Sequence, residues 1–129
     1  IAVNLEKLHY QSKGLALIEI NSPEDKQELI KPRDLEIKWI LNPNPLAGCN
    51  KLIEALGNVQ WQGKKPYAWV AGEFDLMRFA RQLIKHEKSL PKESMYLSCY
   101  WKIGTDDLGM KKAKSALILI DSIKNLFRF

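Results

Sequence analysis

Strand-like and helix-like segments alternate along this chain, and this alternation constrains the fold more than any other feature. Four apolar runs rich in β-forming residues are predicted to be strands, at residues 15–20, 35–41, 67–72 and 94–101. Helical segments are predicted before, between and after them. Strands connected through helices form right-handed crossovers, which give a mostly parallel sheet with helices on both faces. The sequence therefore predicts a three-layer α/β domain.

The predicted helices have recognisable starting and stopping residues. Ser22-Pro23 is a capping pair that starts a short polar helix, and Asn44-Pro45 starts another that Gly57 ends. Further helices are predicted at the start of the chain over 1–8, over 73–88, and from about 105 to 127. The helix over 73–88 is predicted to bury a face made of Leu76, Phe79, Ala80, Leu83 and Ile84. Residues 117–120 are equally compatible with a strand.

Composition excludes several classes of protein. A chain of 129 residues suits one domain, and it has no apolar run of the ~18 residues that a membrane span needs. Its first residues lack the basic region of a secretion signal. Cys49 and Cys99 are too far apart for a Cys-x-x-Cys motif, which suits a reducing cytoplasm. His9 and His86 are the only histidines and belong to no ligand cluster, so no metal site is predicted.

The charge pattern favours small anionic ligands over nucleic acid. The net charge is +5, from 20 basic and 15 acidic residues. The basic residues are spread along the chain and form no cluster of the kind that follows a nucleic-acid backbone. We therefore expect neither nucleic acid nor a membrane as a partner.

The segment Ala71-Gly72-Glu73 ends one predicted strand and begins a helix. In open α/β sheets, ligands bind beyond the carboxyl ends of the strands. Gly72 would let the backbone approach a flat ligand closely, and Glu73, placed in the first helical turn, suits a neutral or cationic ring better than a phosphate. The alternative is that the glycine serves only the turn.

Tyr100-Trp101-Lys102 ends the last predicted strand. Two aromatic rings and a cation in this place could stack on an aromatic cofactor and attract an anionic ligand. The alternative is that Trp101 covers the core and Lys102 extends into water.

The two strand ends together resemble a known family. Trp69-Val-Ala-Gly-Glu73 and, after a helix, Tyr100-Trp-Lys-Ile-Gly104 are similar to paired motifs in the C-terminal half of the siderophore-interacting proteins, which are flavin-dependent ferric-siderophore reductases. Thr105-Asp-Asp107 and Ala113-Lys114 also look like the family's tail. Cys99 departs from the pattern, because many members have glycine there. The resemblance implies a ferredoxin-reductase-like nicotinamide domain with strand order 3-2-1-4-5.

The resemblance also implies segments that this sequence does not contain. In the family, a β-barrel that holds FAD and the first strand of the nicotinamide domain precede the segment that Ile1 begins. Residues 1–129 are therefore expected to be an NAD(P)H-binding domain fragment. The absent strand would lie between residues 14–20 and 67–72, and its loss should leave a gap or promote self-association.

The activity implied for the parent protein is cytoplasmic transfer of electrons from NAD(P)H through FAD to a ferric siderophore, which releases iron as Fe(II). By resemblance, Ala71, Gly72 and Glu73 would face the nicotinamide, and Tyr100 or Trp101 the flavin ring. Lys102 would attract the anionic ferric complex. An adenosine ribose would be read by Asn42 and Asn44. The fragment alone is expected neither to hold FAD nor to be active.

Two other functions stay open at this point. The domain could belong to a general flavin reductase, or it could be a non-catalytic interaction module of the same fold. The sequence does not decide between NADPH and NADH, and it does not identify the siderophore.

Overall fold

A computed structural model describes residues 2–61 and 63–104, so the predictions for 105–127 and 117–120 lie outside the described residues. Within them the strands are β1 Gly14–Ile20, β2 Leu35–Leu41, β3 Ala68–Glu73 and β4 Met95–Trp101. The α-helices are α1 Ala2–Glu6, α2 Asn50–Gly57 and α3 Phe74–Gln82, and a π-helical segment, Leu83–Glu87, continues α3. The four strand predictions are confirmed to within one residue at each end.

The strands pair in parallel, as the alternation predicts. β1 pairs with β2 from Gly14 opposite Leu35 onward, and β3 pairs with β4 from Ala68 opposite Met95 onward. The absent first strand was expected to leave a gap in the sheet, and the described residues form two separate two-stranded sheets. In this part of the chain β1 and β3, between which a gap is expected, are not hydrogen-bonded to each other. Helix α2 contacts β1, β2 and α3, and so connects the two sheets.

The main core lies between α3 and one face of the β3–β4 sheet. One cluster is centred on Ile84, and a second joins the start of α3 to β4. The buried members are Ala68, Ala80, Ile84 and Leu90 in the first cluster, and Phe74, Met77 and Cys99 in the second. The second cluster fixes the end of β4 relative to the start of α3.

The predicted buried face of α3 needs one correction. Leu76, Ala80 and Ile84 are buried as predicted, and Leu83 packs against the first cluster. Phe79 is wrong, because 42% of its surface is exposed, whereas Met77 is only 4% exposed. Helical spacing places Met77 on the face that the buried residues share and turns Phe79 away from it.

Three predicted helices are shorter than expected. The helix predicted over 1–8 spans Ala2–Glu6 in the described residues. The cap at Ser22 is confirmed, since its backbone N–H donates to the Asp25 carboxylate at 3.0 Å, but only a 3-10 turn follows, Pro23–Asp25. The helix predicted from Asn44-Pro45 is interrupted after the 3-10 turn Pro45–Ala47. Gly48, with φ of 109°, breaks it in a conformation that glycine adopts readily, and α2 begins only after Cys49.

Candidate functional site at the ends of the third and fourth strands

The carboxyl ends of β3 and β4 lie side by side, which brings together the two segments singled out in the sequence. Gly72 is opposite Cys99, and Glu73 is opposite Trp101. Tyr100 is therefore an extra residue on β4, and the pair ends in a β-bulge. Bulges are common beside functional sites, where they change the direction of a side chain.

The bulge leaves both aromatic side chains of β4 accessible. Strict alternation would place Trp101 on the same face as Leu97 and Cys99, which is packed against α3. Instead Tyr100 is 58% exposed and Trp101 is 53% exposed. Trp101 is therefore not enclosed in the core, and both rings present more than half of their surface to solvent.

Glu73 is a buried carboxylate at the junction of β3 and α3. Its Oε2 accepts hydrogen bonds from the backbone N–H groups of Asp75, at 2.6 Å, and Leu76, at 3.3 Å. Its Oε1 accepts from the backbone N–H of Ile103, at 3.2 Å. The sequence places Glu73 in the first helical turn, but it is the N-cap residue, with an extended backbone of φ −70° and ψ 151°.

Gly72 is required by the junction itself. Its φ of +156° is a backbone conformation that other residues rarely adopt, and a Cβ here would lie 3.1 Å from Cδ2 of Leu76. Gly72 is also buried, whereas its neighbour Ala71 is half-buried. The strand-to-helix turn therefore needs glycine at this position, whatever Gly72 contributes to a ligand.

Lys102 lies over an aromatic ring that the sequence prediction missed. Its Nζ is 4.8 Å from the centroid of the Phe74 ring, a distance typical of a cation–π contact. Lys102 is half-buried, so the alternative that it simply extends into water does not hold. Phe74 follows Glu73 directly, and this position at a strand-to-helix junction is the signal that could have identified it.

A second aromatic pair extends the surface along the same two strands. Trp69 and Tyr96 are opposite each other, with ring centroids 6.3 Å apart and planes within 5° of parallel. Both side chains are exposed, and strand alternation turns them away from the α3 face. The sequence prediction did not name this pair, although an aromatic residue near the start of each strand, at the second position of β3 and of β4, is a usable signal.

Asn42 and Asn44 lie at the end of β2, in the other sheet. Asn42 is buried, and its Nδ2 donates to the backbone carbonyl of Gly48 at 2.9 Å. Its backbone N–H donates to the carbonyl of Ile20 at 2.8 Å. Asn44 is exposed and precedes the Pro45–Ala47 turn without a side-chain cap bond. Asn42 therefore holds its own loop, and Asn44 presents its side chain to solvent.

Cys49 lies near the carboxylates of Glu73 and Glu19, and this environment disfavours ionisation of its thiol. Burial raises the pKa of the Cys49 thiol, and the nearby carboxylates of Glu73 and Glu19 raise it further.

Within residues 2–61 and 63–104, no group of three or more His, Cys, Asp or Glu side chains could hold a metal ion. No helix in those ranges is long and apolar enough to cross a membrane.

The parallel α/β fold defines a class, that of ferredoxin-reductase-like domains. Comparison with known proteins narrows this class. The profile of the siderophore-interacting protein family matches residues 1–104. The chain belongs to the siderophore-interacting protein family, which confirms the resemblance carried by residues 69–73 and 100–104.

Relatives and solved structures agree with this assignment. Ferric vibriobactin reductase ViuB of Vibrio cholerae is 28% identical over 108 residues, which cover 83% of this chain and 40% of ViuB. The siderophore-interacting protein SipS of Aeromonas hydrophila superposes with a TM-score of 0.77 at 20% identity, over 91% of this chain and 46% of SipS. A siderophore utilization protein of T. fusca gives a TM-score of 0.73 at 26% identity, over 82% and 41% of the two chains. The chain thus spans less than half the length of each of these proteins.

Proposed function

We propose that this chain is the nicotinamide-facing part of a cytoplasmic flavoprotein that carries electrons from NAD(P)H, through FAD, to a ferric siderophore. The observation that carries the proposal is the pairing of the Gly72–Glu73 and Tyr100–Lys102 strand ends in a member of this family. ViuB is named a ferric vibriobactin reductase, which supports the ferric chemistry. Because the chain spans only part of such relatives, the activity is proposed for the whole protein.

The described residues fit a flat aromatic cofactor. Exposed rings at Tyr100 and Trp101 provide stacking surfaces, and the backbone of Ala71 and Gly72 lies on the neighbouring strand. In this proposal Tyr100 or Trp101 lies against the flavin ring, and Ala71 and Gly72 border the nicotinamide. Asn42 and Asn44, at the end of the other sheet, bind the adenosine ribose. Residues outside this chain provide most of the contacts to FAD.

The chemistry divides between cofactors and protein. When bound, FAD supplies the conversion between a two-electron hydride donor and one-electron ferric acceptors. One hydride therefore accounts for two ferric complexes and one released proton. Reduction weakens chelation because hard oxygen ligands hold Fe(II) less strongly than Fe(III). Lys102, held against Phe74 beside the exposed rings, attracts the anionic ferric complex to this edge.

Anaerobic stopped-flow absorbance of the whole FAD-loaded protein tests the proposal. Mixing with NADPH or NADH should bleach the visible absorbance of the flavin, and a ferric siderophore added afterwards should restore it. If neither nucleotide bleaches the flavin, the reductase proposal is wrong. If bleached flavin is reoxidised by free flavin but not by the ferric siderophore, the protein is a general flavin reductase instead.

A matched pair of glycine variants tests where the nicotinamide lies. Gly72→Val should abolish nucleotide-driven bleaching while FAD remains bound, because the added side chain meets Leu76 and shifts the backbone at the end of β3. Gly14→Val is the control. A Cβ at Gly14 has open space around it, and Gly14 lies at the amino end of β1, away from the carboxyl ends of the strands. Equal bleaching rates in Gly72→Val and Gly14→Val would contradict this placement.

We also propose that the chain in isolation self-associates through strand edges. Within residues 2–61 and 63–104, each strand is hydrogen-bonded to one neighbour, and unpaired strand edges favour pairing with another chain. Size-exclusion chromatography with light scattering should give a mass above that of the monomer at micromolar concentration. A monomer under those conditions would contradict this part of the proposal.

A further inference from the structure

We propose that Glu73 is a positioning residue, which holds the segment after β4 against the start of α3 and so fixes the rings of Tyr100 and Trp101. The proposal rests on the function above for its effect on electron transfer, but its structural part can be tested separately. Sequence reasoning places Glu73 beside the ligand. The contacts of its carboxylate point to an indirect role.

The first step is that the carboxylate is fully engaged by the backbone. Glu73 is 7% exposed, and among the described residues only Asn42 and Glu73 are buried polar or charged side chains. Three backbone N–H groups donate to its two oxygens. A carboxylate is a pure acceptor, so it matches three converging donors without leaving one unsatisfied.

The second step is that the two oxygens serve different parts of the chain. Oε2 caps α3 through Asp75 and Leu76, which are two and three residues away. Oε1 reaches Ile103, which is thirty residues away along the sequence. One side chain thus connects the start of a helix to the segment that leaves the neighbouring strand.

The third step is that the contacts of this segment with the rest of the described residues converge on the start of α3. The β3–β4 register is interrupted between Gly72 and Glu73, and the bulge at Tyr100 disrupts the ladder there. Beyond Trp101, Ile103 is tied to Glu73, and Lys102 lies over the ring of Phe74. Both contacts lead back to the same junction. Loss of the Glu73 bond should therefore loosen the residues that carry the exposed rings.

Two conservative variants separate capping from positioning. Glu73→Asp keeps a good N-cap acceptor for Leu76 but is one methylene too short to reach Ile103 as well. Glu73→Gln keeps the length but replaces one acceptor oxygen with an NH₂ group, so it satisfies only one of the two sides. Glu93→Asp, on the exposed turn before β4, is the matched control.

Amide hydrogen exchange of the whole protein measures the structural part. In Glu73→Asp the exchange of Ile103 should accelerate about tenfold or more, since a hydrogen bond to a buried charge is lost, while Leu76 stays protected. Glu93→Asp should change neither amide. Unchanged protection of Ile103 in Glu73→Asp would overturn the proposal. Equal acceleration at Ile103 and Leu76 would also overturn it, because Glu73 would then be only a helix cap.

Stopped-flow kinetics measure the functional part. A positioning role predicts that Glu73→Asp lowers the limiting rate of flavin bleaching about tenfold, while the half-saturating nucleotide concentration changes less than about twofold. A loosened Ile103 with an unchanged limiting rate would refute the positioning role. If the wild type shows no bleaching at all, the proposed function fails, and exchange at Ile103 still decides whether Glu73 holds the segment.

Discussion

Each half of the molecule has a buried polar residue at the end of a strand. The side-chain hydrogen bonds of these two residues span very different separations along the sequence. In the β1–β2 half, Asn42 bonds to Gly48, six residues further along the chain. In the β3–β4 half, Glu73 bonds to Ile103, thirty residues away, as well as to the start of α3. One contact closes a local loop, and the other joins two separate elements.

This difference indicates which half is sensitive to distant changes. A local loop closes at a modest entropic cost, so the Asn42 contact depends mainly on its own neighbours. The Glu73 contact also requires that α3 and β4 are already packed through Phe74, Met77 and Cys99. The geometry of the candidate site therefore depends on the core beneath it.

The largest expected effect is the loss of the core in the β3–β4 half. Ile84→Ala should lower the free energy of unfolding by about 2–5 kcal/mol, because Ile84 is fully buried and its removal leaves a cavity. Ile30→Ala, at an exposed position, should change it by less than about 0.5 kcal/mol. Urea unfolding measures both variants. A similar small change in both would mean that the site does not depend on this core.

The next effect concerns the junction at Gly72. Gly72→Ala should cost about 1–3 kcal/mol, since alanine is strained at this φ and its Cβ would contact Leu76. Gly14→Ala has open space and no positive φ, so its free energy of unfolding should stay near that of the wild type. Thermal unfolding compares the two. Equal stabilities of Gly72→Ala and Gly14→Ala would contradict the requirement for glycine at the end of β3.

A smaller effect tests whether the Asn42 contact is local. Asn42→Ala should cost about 1 kcal/mol through the lost bond to the Gly48 carbonyl. Amide exchange should accelerate at Asn44 and in residues 46–49 and leave Ile103 unchanged. Asn44→Ala, which removes an exposed side chain without a cap bond, is the control. Acceleration at Ile103 in Asn42→Ala would show that the two halves are coupled.

The smallest effect is the titration of Cys49. Its raised pKa keeps the folded thiol protonated, whereas the unfolded thiol ionises near pH 8.5, about the ordinary cysteine value. The unfolded state then releases protons first, so stability falls as pH rises above that value. In a Cys99→Ala background, the rate of alkylation of Cys49 is measured against pH. The pH at which this rate reaches half its maximum should be higher for the folded protein than for the unfolded chain. A midpoint at or below the unfolded value would contradict the burial argument.

Sequence pattern predicted the strands because apolar runs and turn residues are local signals, whereas the strand order came from the resemblance to the family. The same patterns predicted too much helix around Cys49, since a single glycine conformation at Gly48 interrupts it. They also placed Phe79 in the core where Met77 lies. Whether an apolar residue near the edge of a helical face is buried or exposed depends on how the helix packs against other elements. The local sequence pattern does not contain that information.

The candidate site was predictable in its residues but not in their roles. Tyr100, Trp101, Gly72 and Glu73 stand out as strand-end residues, and the structure places them together. The bulge that exposes Trp101 depends on the register between two strands, and the bond from Ile103 to Glu73 depends on tertiary structure. A single sequence carries no local signal for either.

The cap on α3 has a consequence for how a dinucleotide could be held. Helix starts in parallel α/β proteins commonly receive a phosphate, because backbone N–H groups and the helix dipole converge there. Here the carboxylate of Glu73 already occupies the first N–H groups of α3, as an anion built into the chain. A pyrophosphate approaching this helix would meet neutralised donors and a negative charge. The diphosphate of any nucleotide bound at this edge therefore has to be bound by other groups. The N–H groups at the start of α3 serve instead to hold the Glu73 side chain.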